Sequence, residues 1–75
     1  SPDQARAWEA LKRLPERQRT VVILKYLEGL DNREVADVTG LTVAVVKALQ
    51  HRGLEGMRRT LTAAQGRGGW LWDVL

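Results

Sequence analysis

An all-α fold is predicted for this 75-residue chain by three observations. Apolar residues recur at helical spacing in four segments. Residues that cap or break helices stand at the ends of those segments. Between the last two segments, Gly40 centres a short turn, so residues 31–61 follow a helix-turn-helix pattern, whose second helix is shaped to enter the DNA major groove. So short a chain buries only about 60% of its unfolded surface, which predicts one domain with a thin core.

The first helix begins at Ser1 and is predicted to run to about Arg13. The opening letters SPDQ combine a capping serine, a proline suited to the first helical position, and a glutamine that completes a capping box. Helical spacing predicts that its buried side consists of Ala7, Trp8, Leu11 and Leu14.

Pro15 separates the first two helices, because it disfavours α geometry at Leu14 and suits the first turn of a helix. The second helix is predicted over residues 16–28, with Gly29 ending it. Its apolar run is wider than a single stripe, so we expect it to be the most buried helix. The residues expected inside are Val21, Val22, Leu24 and Leu27; those expected outside are Arg17, Gln18 and Lys25. Tyr26 suits either the edge of the core or a partner surface.

The third and fourth helices form the helix-turn-helix. Asp31 is predicted to cap the third helix, with Glu34 as the return half of a capping box. Gly40 is expected to supply the positive φ of the turn, and Thr42 to cap a fourth helix that runs to about Leu61. The inward side chains of the third helix are predicted to be Val35, Ala36 and Val38.

The fourth helix is strongly amphipathic. One arc of its helical wheel holds Val43, Val46, Leu49, Gly53, Leu54, Met57 and Leu61. The opposite side holds Ala44, Lys47, Ala48, His51, Arg52, Glu55, Arg58 and Arg59. Gln50 interrupts the apolar arc. We expect it to be partly buried with hydrogen-bond partners, the alternative being that it reaches the groove beside His51.

The outer face of the fourth helix has the chemistry that DNA binding requires. Its alanines are small enough for the helix to sit deep in a groove, and Lys47, His51 and Arg52 are spaced to reach base edges or phosphates. A good bidentate contact from Arg or Lys to guanine contributes about 1–3 kcal/mol of base discrimination. We expect Arg58 and Arg59, further along the helix, to meet phosphates or solvent.

The composition argues against several other function classes. The chain has no Cys and one His, which excludes thiolate and multi-His metal sites, and no cofactor is expected. Its one Ser is the N-terminal cap, so no nucleophile–base pair suggests an enzyme or a small-molecule substrate. The longest apolar run, VVIL, is too short to span a membrane, and no signal peptide is evident; a cytoplasmic protein is the default. The net charge of +3 is only a mild excess.

An ordered set of short motifs runs through residues 7–61. In sequence order they are Leu14-Pro15-Glu16, Arg19, Leu27-Glu28-Gly29-Leu30, Glu34-Val35-Ala36, Gly40-Leu41-Thr42, Val46-Lys47 and Gln50-His51-Arg52. At this spacing the set resembles region four of a bacterial RNA polymerase sigma factor of the extracytoplasmic-function group.

The resemblance implies a four-helix domain that recognises the promoter −35 element through its fourth helix. The partners it implies are double-stranded promoter DNA, the flap of the RNA polymerase β subunit and, often, an anti-sigma factor. Carried over by position, the major-groove residues would be Lys47, Ala48, His51 and Arg52. Asn32 and Arg33, at the start of the third helix, would meet backbone phosphate.

Three features depart from the pattern of such sigma factors. Many relatives carry a Ser-Arg pair where this chain has Ala48 and Leu49, which would weaken base readout or shift it to Lys47, His51 and Arg52. A region two, which binds core polymerase and melts the −10 element, is absent, so the sequence is either a fragment or a protein that works differently. The third departure is the segment after residue 61.

Residues 62–75 lie outside the predicted domain, which covers residues 1–61. The letters TAAQGRGG suggest a Gly-rich linker, and WLWDVL is an oddly apolar terminus for a soluble domain. This tail either folds back on the first two helices, docks on another protein or a second copy of the chain, or takes no ordered part. Because tryptophan is enriched at binding hot spots, the partner-binding candidates are Trp70, Leu71 and Trp72.

Two other functions remain open from the sequence. The helices and the tail could form a protein-interaction module that binds an anti-sigma factor or an activator. The four-helix output domain of a response-regulator type transcription factor has a similar turn. The Leu14-Pro15-Glu16 start and the Val46-Lys47 register favour the sigma interpretation over the latter.

Overall fold

The computed structural model describes residues 1–65, which form four helices and contain no strand. Helix α1 spans Pro2–Lys12, α2 spans Glu16–Val22, α3 spans Asn32–Thr39 and α4 spans Val43–Gln65. The predicted all-α helix-turn-helix class is confirmed. Because α4 continues four residues past the predicted end at Leu61, the proposed linker begins inside a helix. The other predictions for the tail fall on residues 66–75, outside the described residues.

The predicted caps of α1 and α3 are confirmed. The Ser1 hydroxyl accepts a hydrogen bond from the Gln4 amide at 3.3 Å, and the Gln4 side chain accepts one from the Ser1 amine at 3.3 Å. Asp31 and Glu34 form the same box at 2.8 and 3.0 Å. Each box satisfies amides that the first turn of a helix leaves without an intrahelical partner, so these helices start where local chemistry requires.

The turn between α3 and α4 is fixed by three local features. Gly40 has φ = 76°, as predicted. The Thr39 hydroxyl donates to the carbonyl of Val35 at 2.7 Å and accepts from the Leu41 amide at 3.3 Å. The Thr42 hydroxyl accepts from the Val45 amide at 3.1 Å, which is the predicted cap of α4. Together they hold α3 and α4 in a defined relative orientation.

A π-helical turn extends α2 and corrects the prediction of a regular helix over residues 16–28. This turn spans Ile23–Leu27, and the Glu28 amide donates to the Ile23 carbonyl at 3.0 Å, five residues back. The wider turn shifts the helical register, so residues at 3.6-residue spacing no longer share one face. Leu27, predicted inside, is therefore 60% exposed. Gly29 then ends the segment with φ = 77°.

The core consists of two clusters joined through α2. The first lies under the helix-turn-helix and comprises Val21, Val35, Ala36 and Val46, with Leu24, Leu30, Leu41 and Leu49 packed around it. The second joins α1, α2 and α4 and comprises Leu11, Leu14 and Val22, with Ile23 and Met57 at its edge. Arg19 strengthens the α1–α2 corner by donating to the carbonyls of Lys12 and Leu14 at 3.1 and 3.3 Å.

Two glycines let α4 approach its neighbours closely. A Cβ added at Gly53 would lie 2.7 Å from Cγ2 of Val22, and one at Gly56 would lie 2.9 Å from Cδ2 of Leu14. Real Cβ atoms essentially never approach so closely, so the crossing of α4 over α2 and the α1–α2 corner depends on these two positions.

Several apolar side chains that were predicted to face inward are exposed. Trp8 is 50% exposed, because the residues of α1 that are buried are Ala10 and Leu11, and Trp8 lines an open apolar groove beside them. Val38 is 65% exposed, since α3 rests on the core through Val35 and Ala36 alone. The other exposed members are Val43 and Leu54, at the borders of the apolar arc of α4. Tyr26 is also exposed, whereas Arg17 is exposed as predicted and Gln18 and Lys25 are half-buried.

Candidate nucleic-acid interface

The face of α4 opposite the core carries four of the six predicted DNA-binding side chains. Lys47, Ala48, His51 and Arg52 are all exposed. On the other side of the same turns, Val46 is fully buried. The helix thus presents one turn and a half of basic and small side chains on a surface whose reverse is anchored in the core. Their contact with DNA remains a prediction.

Gln50 is buried on α4 and does not join this surface. Its side chain is 7% exposed, and Nε2 finds no hydrogen-bond partner among the described residues. The expected burial is confirmed, whereas the expected hydrogen-bond partners are missing for that atom. A buried donor without a partner costs about 1–3 kcal/mol. The alternative position, in the groove beside His51, is wrong.

An ion pair divides the charge of the exposed face into two parts. Glu55 accepts a hydrogen bond from Arg58 at 2.9 Å. This bond, and then the Arg58 charge, lower the pKa of Glu55, with smaller contributions from His51 and Arg59. Arg58 is therefore locally compensated. Within residues 1–65, Lys47, Arg52 and Arg59 take part in no ion pair, so uncompensated positive charge lies on both sides of the Glu55–Arg58 pair.

The two residues predicted to contact phosphate at the start of α3 differ in their exposure. Arg33 is exposed and free to reach outward. Asn32 is half-buried, and its carboxamide oxygen is buried with no donor among the described residues. Arg33 is therefore the better placed of the two for a charge-assisted contact with an anion.

Val45 is an exposed residue of this face that the sequence reasoning missed. It is 40% exposed and precedes Ala48 by three positions and Arg52 by seven, which puts all three on one side of α4. An apolar side chain at a major-groove surface can contact the thymine methyl group. The spacing to Ala48 and Arg52 was the available signal, but a valine in an apolar run is ordinarily counted as core.

Two other kinds of site, a membrane-spanning helix and a metal-binding cluster, are not found among the described residues. Within residues 1–65, no helix combines the length and apolar character needed to cross a membrane. The same residues contain no group of three or more His, Asp or Glu side chains arranged to hold a metal ion.

Comparison with known proteins identifies the family of the helix-turn-helix. The family model described as sigma-70, region 4 matches residues 4–57. The chain is 43% identical over 54 residues to the RNA polymerase sigma factor SigV of Bacillus subtilis, covering 72% of this chain and 32% of that protein. It is 36% identical over 53 residues to the ECF RNA polymerase sigma factor SigW of the same species, covering 71% of this chain and 28% of that protein.

A third relative matches over a longer stretch of the chain. The RNA polymerase sigma-E factor of Streptomyces coelicolor is 36% identical over 61 residues, covering 81% of this chain and 34% of that protein. The chain thus spans about a third of the length of these curated relatives. No solved structure gives a significant match.

Proposed function

Because the chain belongs to the sigma-70 region 4 family, we propose that it recognises the −35 element of a promoter through α4, as part of a sigma factor in transcription initiation. The observation that carries this proposal is the exposed face of α4. It presents Lys47, Ala48, His51 and Arg52 on a helix whose opposite side is anchored in the core. The role is binding, without catalysis.

The residues of this face take different parts in the proposed contact. Lys47 and Arg52 lack ion-pair partners within residues 1–65 and supply the charge that attracts phosphate or reads guanine. Ala48 and Val45 allow close approach and offer apolar contact to thymine. Arg33, at the start of α3, contacts a backbone phosphate and fixes the orientation of the domain on the duplex.

The partners of the whole sigma factor belong to the same proposal. Family membership supports docking on RNA polymerase, with the flap of the β subunit as the contact, and capture by an anti-sigma factor. These proposed activities support a location in the cytoplasm, where DNA and polymerase are found. Gel filtration of the chain with a purified flap fragment tests the polymerase contact; separate elution of the two at micromolar concentration would argue against it.

A protein-interaction module is the second candidate, and one observation favours it. Trp8, Tyr26, Leu27 and Leu54 are exposed, which is more large apolar surface than DNA binding requires. The output domain of a response regulator is disfavoured, because the family match and the three relatives above point to sigma factors.

A duplex-binding titration with one charge-removing substitution tests the DNA proposal. Arg52→Ala should weaken binding to a −35-like duplex by about tenfold, or about 1.4 kcal/mol, because it removes an unpaired cation from the proposed contact. The melting temperature should stay unchanged, since Arg52 is exposed. Fluorescence anisotropy at several salt concentrations gives the affinity and its salt slope.

Lys12→Ala is the matched control for this titration. It also removes one positive charge, but on α1, where Lys12 is exposed and paired with Glu9 at 3.3 Å. The control should bind like the unaltered chain. Equal losses for both substitutions would show that only net charge matters, and no loss for Arg52→Ala would reject the assignment of this face.

A further inference from the structure

An apolar groove lies beside the second half of α4. It encloses about 360 Å³ between α1, the π-helical turn and the second half of α4. Its wall is almost entirely apolar and includes Trp8, Leu11, Tyr26, Leu27, Leu54 and Met57. Four of these side chains are about half exposed, so nothing within residues 1–65 covers the groove.

We propose that the chain's own tail, residues 70–75, docks in this groove. The proposal does not depend on DNA binding. The tail sequence WLWDVL contains five apolar residues in six, two of them tryptophans, and so matches a groove whose wall offers almost no polar partner. Trp side chains carry the largest apolar surface available for such a contact.

The described end of α4 lies close to the groove. The last described turns of α4 lie beside the first turns of α1, where Leu61 and Ala63 face Ala5 and Arg6 across a shared cleft. Gln4, in the same part of α1, lines the groove. The chain therefore leaves α4 next to the groove rather than at the helix-turn-helix.

The connecting segment has the right length and composition to turn back. Leu54 precedes the end of α4 at Gln65 by eleven residues, which is about 16 Å of helix. Residues 66–69, with the sequence GRGG, allow about 16 Å between Gln65 and Trp70 when extended. Three glycines in four positions permit the reversal of direction that this path needs. The tail can thus retrace α4 as far as Leu54.

Occupation by the tail explains why positions 8 and 27 hold large apolar residues, Trp8 and Leu27, although the helices leave both side chains exposed. It also means that an external partner of this face would have to displace the tail. The same surface would otherwise be an association hazard for the free domain.

Disulfide trapping in the full chain tests the docking directly, because the chain contains no native Cys. The first variant carries Leu27→Cys in the groove and Asp73→Cys in the tail, which keeps every apolar tail residue. The matched control pairs Asp73→Cys with Ala5→Cys. Ala5 is exposed, beside the last turns of α4, and does not line the groove. An undocked tail would reach Ala5 at least as readily as Leu27.

We expect the intramolecular disulfide to form at least about tenfold faster with Leu27→Cys than with Ala5→Cys, because docking raises the effective concentration of one cysteine at the other. Adding Trp70→Ala and Trp72→Ala should reduce the Leu27→Cys rate to the control value. Leu54→Cys in place of Leu27→Cys repeats the measurement at a second groove position. Circular dichroism confirms that each variant is folded.

Two results would overturn the proposal. If the Ala5→Cys pair cross-links as fast as both groove pairs, the tail has no preference for the groove. If only disulfide-linked dimers form at micromolar concentration, the groove takes a tail from a second copy rather than its own.

Discussion

The two halves of α4 differ in the side chains that remain exposed after the helix has packed on its neighbours. Residues 43–52 pack on the helix-turn-helix core through Val46 and leave small and basic side chains outside. Residues 53–65 cross α2 and the α1–α2 corner at two glycines, and beside that crossing an apolar groove stays open. The first half is thus suited to a polyanion, and the second to an apolar ligand.

This difference teaches that one continuous helix can carry two surfaces without a hinge between them. The orientation of the first surface is set by local chemistry, namely the turn at Gly40 and the cap at Thr42. The position of the second half is set by tertiary contacts, with Gly53 against Val22 and Gly56 against Leu14. Substitutions in the two regions should therefore have different effects on folding stability and on binding.

The largest effect is expected from the core beneath the helix-turn-helix. Val35→Ala should lower the free energy of unfolding by about 2 kcal/mol, because it removes buried methyl groups and leaves a cavity. Val38→Ala, the same substitution one turn later on α3, should cost less than about 0.5 kcal/mol, since Val38 is largely exposed. Urea unfolding followed by circular dichroism measures both. Equal losses would contradict the assignment of Val38 to the surface.

A smaller effect is expected at the glycine crossing. Gly53→Ala should lower the free energy of unfolding by about 1 kcal/mol, because overpacking against the stiff, buried Val22 outweighs the gain in helix propensity. Gly56→Ala meets the far end of the Leu14 side chain, which has more rotamers than the stiff Val22, so its cost should be smaller than that of Gly53→Ala. Thermal melts of the two variants rank them. A more stable Gly53→Ala variant would show that α4 does not lie so close to α2.

The two regions also differ in how far the sequence predicts them. Caps are local signals, so Asp31, Gly40 and Thr42 could be placed from the residues alone. The exposed basic face follows from the same helical period. The state of Trp8 depends instead on how many helices surround α1, which spacing along one helix does not encode. Leu27 was misplaced because the π-helical turn breaks the period on which the prediction relied.

The candidate site shows the same division. Lys47 and Arg52 were predicted on the outer face and lie there, because a helix with Val46 in the core must expose them. The ion pair with Glu55 makes Arg58 a weaker candidate for DNA contact than Arg52. This pair depends on side-chain rotamers that the sequence does not fix. Which bases are read depends on the DNA as well, so it could not be predicted from these residues.

The smallest effect is expected from the acidic residue at the border of the two halves. Glu55→Gln should strengthen binding to a −35-like duplex by about twofold, because it removes a negative charge near the phosphates and releases Arg58 from its ion pair. Glu9→Gln breaks the exposed pair with Lys12 on α1 and serves as the control, with no change expected. Anisotropy titrations at low salt measure both affinities. Unchanged binding by Glu55→Gln would place Glu55 and Arg58 away from the DNA.

The most direct test of the central claim is an NMR titration of the isotope-labelled chain with a pool of −35-like duplexes at low salt. Amide shifts concentrated in residues 42–55, fading as the salt concentration rises, are the predicted result, because α4 would be the element that contacts DNA and phosphate contacts weaken with salt. A folded protein whose amides in residues 42–55 stay unshifted would contradict it.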